Sequence, residues 1–499
     1  MTRFFFTTLL VSCVSSFACA AQQPALPDVV INLLRAAQIP EDAIATKVVR
    51  LSDGALVLAH HADASMQTAS TMKLVTTLVG LERLGPAYRG RAELVTNAKT
   101  VDGVLEGDLA LRGLGDANLD WRAFESMLAA LRNQGINEIR GSLIIDRHFF
   151  QPPRFDGGLP PFDDAPEFRY NVIPDALLLN MNVAAFEFTS DATAVSVRMT
   201  PPLDRVTVVS NMTLIEATCS QWEDGWKSPT VATRADGAIV ISINGTFPKN
   251  CTANTELNLL DRDDFADRLF RALWRGLGGK FTGTVNESAF VNTNIDANAR
   301  VLATHRSRPL GEVVRDINKT SDNTLARLLY LTLGTLPTTD RNLNTITRSE
   351  QEIRGWFKTN AINDKGLVLD NGSGLSRSER ITPAQMTALL TIGARSNWAP
   401  EFIASLPIAA LDGTMRRRLR ESPAAQRARL KTGTLKNVVA VAGYVPDGTN
   451  QLCVAAVFIN HPLAASKLAQ PILDALVDWV AGSKTESAWA LPLSAYAGG

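Results

Sequence analysis

The chain has 499 residues, 45% of them hydrophobic and 20% charged, with 50 Lys plus Arg against 50 Asp plus Glu. That length exceeds what one hydrophobic core usually serves, so two or three domains are expected. The balanced charge gives no general attraction to nucleic acid or anionic lipid, and the composition excludes a disordered or fibrous chain.

The first residues, MTRFFFTTLLVSCVSSFACAAQQ, hold one early cation, Arg3, then an apolar stretch to about Phe17, then Ala18-Cys19-Ala20 in the small-x-small form of a cleavage site. This reads as a Sec signal peptide over residues 1–20, which places the mature chain in the oxidising periplasm. Beyond it no apolar run reaches the roughly 20 residues that span a bilayer, so no transmembrane segment is expected after cleavage.

From Lys47 the run KVVRLSDGALVLAHHADAS predicts two apolar strands joined at Asp53-Gly54, a dipeptide that tolerates the positive φ of a tight hairpin. His60-His61, just past the second strand, reads as a turn, since two adjacent histidines without a third ligand do not make a zinc site. The next segment, STMKLVTTLVGLERLGP, sets Leu74, Leu78 and Leu81 on one side with Val75 and Val79 beside them, and stops at Gly85-Pro86. It predicts a largely buried helix with Ser70 at its mouth.

Between about Tyr88 and Asn298 the texture changes to short alternating strands, such as GVLEGDLALRG and AVSVRMTPPLDRVTVVSN, with helices predicted from Trp121 and from Phe265. We expect an inserted region over 89–298, with 89–113 and 185–298 as one domain and 114–184 nested within it. The stretch QPPRFDGGLPPFDDAPEF reads as its main loop. Cys219 and Cys251 flank a polar, loop-rich stretch with no nearby His, which favours a disulfide over a metal site. Cys453 lies in an apolar run and reads as a buried thiol.

From about Arg300 helices return, at Pro309 to Asp316, at Asn323 to Gly334 and near Glu350 to Phe357. NVVAVAGYVPDGTNQLCVAAVFIN then predicts two long strands across Asp447-Gly448, and a final helix carries Leu468, Ile472, Leu476, Val477 and Val480 at helical spacing. Residues 21–88 and 299–499 would thus share one sheet and form one domain around the insert.

Three short clusters carry the chemistry. Ser70 and Lys73, in Ser-Thr-Met-Lys, stand three apart at a helix start, so a lysine with a lowered pKa can take the proton of the serine hydroxyl. Alone the pattern is weak, since roughly two Ser-x-x-Lys matches arise by chance in such a chain. Ser321-Asp322-Asn323 alone reads as a helix cap, and Lys431-Thr432-Gly433-Thr434 alone as an edge strand. Their occurrence together, in this order, points to one acyl-transfer site with no histidine in it.

This set, with Asn318-Lys319-Thr320 before Ser321, Asp370-Asn371-Gly372-Ser373-Gly374-Leu375-Ser376-Arg377, and Asp412-Gly413-Thr414-Met415, resembles the low-molecular-mass class C penicillin-binding proteins, the S13 peptidase family. The resemblance runs from about Asp42 to Gly482. It implies an α/β penicillin-binding/β-lactamase-like domain, an antiparallel sheet flanked by helices, interrupted by inserted and nested smaller domains. It also implies a D-Ala-D-Ala carboxypeptidase and endopeptidase acting on peptidoglycan stem peptides, with β-lactams as inhibitors and no cofactor or metal.

By the same resemblance Ser70, Lys73, Ser321 and Asn323 are catalytic, while Lys431, Thr432, Gly433, Thr434 and Arg377 bind substrate. Asp146, ending the apolar strand GSLIID, is a weaker candidate for pairing with a distal ammonium of the stem peptide. A penicillin sensor would keep the fold but needs a membrane segment, and an esterase of this fold usually carries Tyr-x-Asn in place of Ser321-Asp322-Asn323. No counterpart of the deacylating Glu of class A β-lactamases is found between Ser70 and Ser321, so fast antibiotic hydrolysis is not expected.

Overall fold

In the computed structural model, which describes residues 25–287, 299–337, 340, 342–464 and 468–483, the strands on either side of Asp53-Gly54 and Asp447-Gly448 join one antiparallel sheet. Its order is Arg429–Leu435, Val438–Pro446, Leu452–Asn460, Ile44–Arg50 and Leu56–His60. Ile44 stands opposite Ile459, so residues from both ends of the chain build the same sheet. At the first turn Gly54 takes φ 74°, which a residue with a Cβ adopts only with strain. At the second, the Asp447 carboxylate accepts from the backbone N–H of Thr449 and of Gln451, at 2.8 Å each. The expected signal segment lies outside the described residues.

Alternation along the central strand decides what covers each face. Ala440, Ala442 and Tyr444 pack with Leu74, Leu78 and Leu329 of the helical layer. Val439, Val441 and Val445 face the other way, onto Val30 and Leu34 of the helix Asp28–Ala36 and Ile472 and Leu476 of the helix Ala469–Gly482. Cys453 is a buried free thiol in this second layer. The helical layer holds Lys73–Leu84, Leu310–Thr320, Asn323–Leu333, Thr345–Thr359, Pro383–Arg395 and Ala399–Ser405. No described helix is long and apolar enough to cross a membrane.

The insert builds its own sheets. A five-stranded sheet runs Val285–Glu287, Leu143–Asp146, Leu109–Leu114, Arg91–Thr96 and Arg300–Arg306, and the helices Trp121–Asn133 and Arg262–Gly276 supply Phe124, Leu128, Leu269 and Phe270 to the same core. Within it, Ala184–Ser190, Val195–Thr200 and Thr252–Leu257 form one small sheet, and Ile239–Pro248 carries a second with Val206–Ser210, Thr213–Ile215 and Trp226–Thr233. Cys219 and Cys251 are joined by a disulfide in this part.

These pairings partition the insert differently from the expected split. Residues 114–184 give the strand Leu143–Asp146 and the helix Trp121–Asn133 to the outer unit, and the returning strand Arg300–Arg306, expected in the flanking domain, pairs with Arg91–Thr96. The reason is physical: one apolar cluster runs from Leu94 and Phe124 through Phe186 to Ile241, so no break in composition marks where one unit gives way to the next.

Candidate active site

Ser70 lies in a short 3-10 turn, Ala69–Met72, that runs directly into the helix Lys73–Leu84. Two glycines let other backbone crowd this turn. A Cβ on Gly374 would stand 1.9 Å from the Ala69 carbonyl oxygen, and one on Gly433 would stand 2.4 Å from the Thr68 carbonyl oxygen and 3.0 Å from the Ser70 nitrogen. The glycine of Lys-Thr-Gly is therefore the point at which the strand passes against the backbone of the serine.

Lys73 is wholly buried. Its Nζ donates to Ser70 Oγ at 2.9 Å, to Asn323 Oδ1 at 2.6 Å and to the Ser373 carbonyl. Burial, and after it the charge of Lys431, hold the Lys73 pKa well below the ordinary lysine value. Asn323 is fixed from its other side, since its Nδ2 donates to the Tyr170 carbonyl of the insert at 3.0 Å.

Ser321 sits in the two-residue link between the helices Leu310–Thr320 and Asn323–Leu333, in the left-handed region with φ 64°. Such a conformation in a non-glycine residue persists only where its surroundings enforce it. Its Oγ accepts from Lys431 Nζ at 2.9 Å. Asp322 caps the second helix by accepting from the Leu325 N–H at 2.9 Å, and receives Arg169 of the insert at 3.0 Å. Arg169 also reaches Glu256 at 2.5 Å, so the insert holds the Ser321 turn by charge as well as by backbone.

Lys431 is buried too, and burial pushes its pKa down to about 7. Beyond Ser321 it donates to the Thr432 carbonyl at 2.9 Å, while the Thr432 hydroxyl meets that of Thr414 at 2.7 Å. Thr434, further along the strand, is exposed. A cleft of about 1000 Å³ opens beside Ser321 and Asn323, walled by Tyr170, Glu256 and Trp121 from the insert and by Asp316 from the helical layer.

The structure thus brings Ser70, Lys73, Asn323, Ser321, Lys431 and Gly433 into one constellation. It does not bring Asp146 to it: that carboxylate pairs with Arg112 at 2.9 Å and His148 at 3.1 Å on the outer sheet of the insert. Arg377 lies on a neighbouring cleft of about 820 Å³, stacked 4.9 Å from the centre of the Phe162 ring and donating to the Phe162 carbonyl at 3.0 Å.

One residue at the site has no signal in the sequence. Glu379 is buried, and its carboxylate accepts from the N–H groups of Asp370, Asn371, Gly372 and Gly374 at 3.2, 3.0, 2.6 and 2.8 Å. Those donors belong to the turn that presents the Ser373 carbonyl to Lys73. Burial raises the Glu379 pKa even though the backbone donors pull it down.

Residues 29–482 match the D-Ala-D-Ala carboxypeptidase 3 (S13) family. The chain is 29% identical over 410 residues to a D-alanyl-D-alanine carboxypeptidase of Actinomadura sp., covering 79% of this chain and 73% of that one. It is 25% identical over 426 residues to D-alanyl-D-alanine carboxypeptidase DacB of Haemophilus influenzae, covering 82% and 84%. The crystal structure of penicillin binding protein 4 (dacB) from Haemophilus influenzae superposes with a TM-score of 0.73 at 21% identity, over 91% of this chain and 98% of that one. Its complex with a novel β-lactam gives 0.69 at 21% identity, over 90% and 97%.

Proposed function

Because the chain belongs to the S13 family of D-Ala-D-Ala carboxypeptidases, and is a serine peptidase of that kind, we propose that Ser70 is its nucleophile and Lys73 the base that activates it. The observation that carries this reading is the Lys73 amine, buried and within 2.9 Å of Ser70 Oγ. A neutral amine has two N–H groups and one lone pair. With the N–H groups committed to Asn323 Oδ1 and the Ser373 carbonyl, the lone pair is left facing the Ser70 hydroxyl and can take its proton.

Ser70 Oγ then attacks the carbonyl between two D-alanines, with the backbone N–H groups of Ser70 and Thr434 holding the oxyanion. Ser321, hydrogen-bonded to Lys431, relays a proton to the leaving amine, and water hydrolyses the acyl-enzyme. Asn323 holds the acyl-side amide of the substrate and keeps Lys73 in place. The carboxylate of the leaving D-alanine pairs with Lys431 and the hydroxyls of Thr432 and Thr434. β-Lactams carry the matching carboxylate and acylate Ser70, in line with the β-lactam complex of the Haemophilus influenzae protein.

Cleavage of cross-bridges as well as terminal D-alanine, Arg377 as a contact to the stem-peptide side chain, and export to the periplasm complete the proposal. Export is supported by the leader-like start and by the Cys219–Cys251 disulfide. Asp146 is the least favoured contact, because Arg112 already occupies its carboxylate. From the strand pairings we further propose an insert from about residue 90 to 306, with 184–257 as its nested unit.

The test is a mass spectrum after incubation with penicillin, together with D-alanine release from a pentapeptide. The parent gains the mass of one opened penicillin at Ser70. Ser70→Ala gains none and releases no D-alanine, while its melting transition stays near the parent's, because Leu74, Leu78 and Val79 hold the helix without the hydroxyl. Acylation of Ser70→Ala, or D-alanine release at the parent rate, would overturn the assignment.

A further inference from the structure

The strand that carries Lys431 enters the site from a segment unusually rich in arginine. Between Leu411 and Leu430 lie Arg416, Arg417, Arg418, Arg420, Arg427 and Arg429, against only Asp412 and Glu421, in a chain whose total charge balances. Arg416, Arg417, Arg420 and Arg427 are exposed. Arg418 is neutralised by Asp474 at 2.6 Å, and Asp412 is taken by Lys319 at 2.6 Å. Among the described residues no ion pair is found for Arg416, Arg417, Arg420 or Arg429.

The first turn of the segment touches the strand that carries Lys431, and the residues after it pack into the layer behind the sheet. Ile408 pairs with Arg429, Met415 is buried under the sheet, and Thr414 bonds the Thr432 hydroxyl. Arg429 is two residues before Lys431 on one strand and so lies on the same face of the sheet. Exposed Arg315, on the helix that ends at Ser321, adds its charge, and both Arg315 and Arg429 are near enough to Lys319 to oppose its protonation. Arg416 and Arg417 thus follow two and three residues after Thr414, which touches the strand that carries Lys431, and Arg420 follows them in the chain.

A terminal D-alanine needs one of these charges. We infer that the others dock the polymer: the arginine patch around Arg416, Arg417 and Arg420 binds further carboxylates on neighbouring stem peptides of polyanionic peptidoglycan and holds the enzyme on its insoluble substrate. This rests on the reading that the chain acts on stem peptides. Peptidoglycan fits better than an anionic membrane because the arginines begin two residues after Thr414, whose hydroxyl touches Thr432 beside Lys431, so a polymer held by them has its stems close to the carboxylate site. Such docking is electrostatic and exposed, and salt at a few tenths molar should screen it.

The experiment compares the parent with R416E/R417E/R420E and with R416Q/R417Q/R420Q, three positions outside the acyl-transfer machinery. Co-sedimentation with purified sacculi is read in a Ser70→Ala background, so that the sacculi are not consumed, and D-alanine release is read from sacculi and from a soluble pentapeptide. The expected result is at least a tenfold loss of sacculus binding and of release from sacculi for the Glu variant, and a smaller loss for the Gln variant. Salt at 0.3 M, on the order of the screening concentration, reproduces the loss in the parent. Release from the soluble pentapeptide stays within twofold, which also shows that the variants fold and that the reading of the reaction stands. Unchanged sacculus binding with normal pentapeptide turnover overturns the docking patch alone. So does a result in which the parent sediments with phosphatidylglycerol vesicles but not with sacculi.

Discussion

Lys73 and Lys431 are buried in one site and their charges oppose each other, so each depends on the other's protonation. The proposed mechanism asks for a neutral Lys73 and a charged Lys431. The expected kcat/KM profile is a bell, its acid limb from loss of the Lys73 proton and its alkaline limb from Lys431 near pH 7 in the free enzyme. Lys431→Arg should move the alkaline limb upward, and Lys431→Ala should cost about 2 to 4 kcal/mol of transition-state binding for a free-acid substrate but much less for an amidated one.

Stability follows with a definite sign. Between about pH 7 and the ordinary lysine value near 10.5 the unfolded chain holds a proton at Lys431 that the folded protein lacks, so stability rises with pH across that window. Below pH 7 both states are protonated and the penalty is fully present. Lys431→Met should therefore flatten the rise in urea-unfolding free energy between pH 7 and 9.5, an effect on the order of several kcal/mol. Glu379 acts through another residue: its charge favours the charged form of Lys73. Glu379→Gln should lower kcat by about tenfold at nearly constant KM. It should also move the acid limb to lower pH, a shift that simple loosening of the turn would not produce.

At the level of elements, the crossing of the strand Arg429–Leu435 over the Ser70 turn is a tight requirement. Gly433→Ala places a methyl 2.4 Å from the Thr68 carbonyl oxygen, so the strand must move away from Ser70. We expect about a hundredfold loss of penicillin acylation rate against a stability change of only about 1 to 3 kcal/mol, read by stopped-flow acylation and thermal unfolding. The Cys219–Cys251 disulfide closes 32 positions of the nested unit. Reduction should destabilise that unit by about 3 to 4 kcal/mol, as seen by hydrogen exchange, while acylation of Ser70 proceeds.

Elements were also the scale at which the sequence was most readable. The Asp-Gly hairpins and the helix behind Ser70 follow from turn chemistry and periodicity that act locally. Glu379 could not be found that way: its meaning lies in four backbone donors gathered by a turn, and backbone donors leave no trace in residue identity. Asp146 shows the reverse: a carboxylate at a strand end looks available in the sequence, while in the fold Arg112 stands beside it on the neighbouring strand.

For the whole molecule, the motif order points to one site assembled from distant segments, and the fold brings Ser70, Lys73, Asn323, Ser321, Lys431 and Gly433 together. The borders of the insert were not readable, because its outer and nested units share one apolar cluster and alternate at the same period. Their consequence for the site is concrete. Arg169 and Tyr170 of the insert hold Asp322 and Asn323, so Arg169→Ala should slow acylation about tenfold, without any contact to the substrate, by loosening the Ser321 turn.

The sheet in which Ile44 stands beside Ile459 also sets a timetable for the newborn chain. Ser70 and Lys73 emerge early, but the strands that flank them, Lys431 among them, emerge last. The insert can bury its core before the tail arrives, whereas the central sheet must wait for nearly the entire chain. A chain folded only from its earlier part therefore carries Ser70 and Lys73 without the strand of Lys431 beside them. A chain stopped before Arg429 should form the Cys219–Cys251 bond normally and yet take up no penicillin.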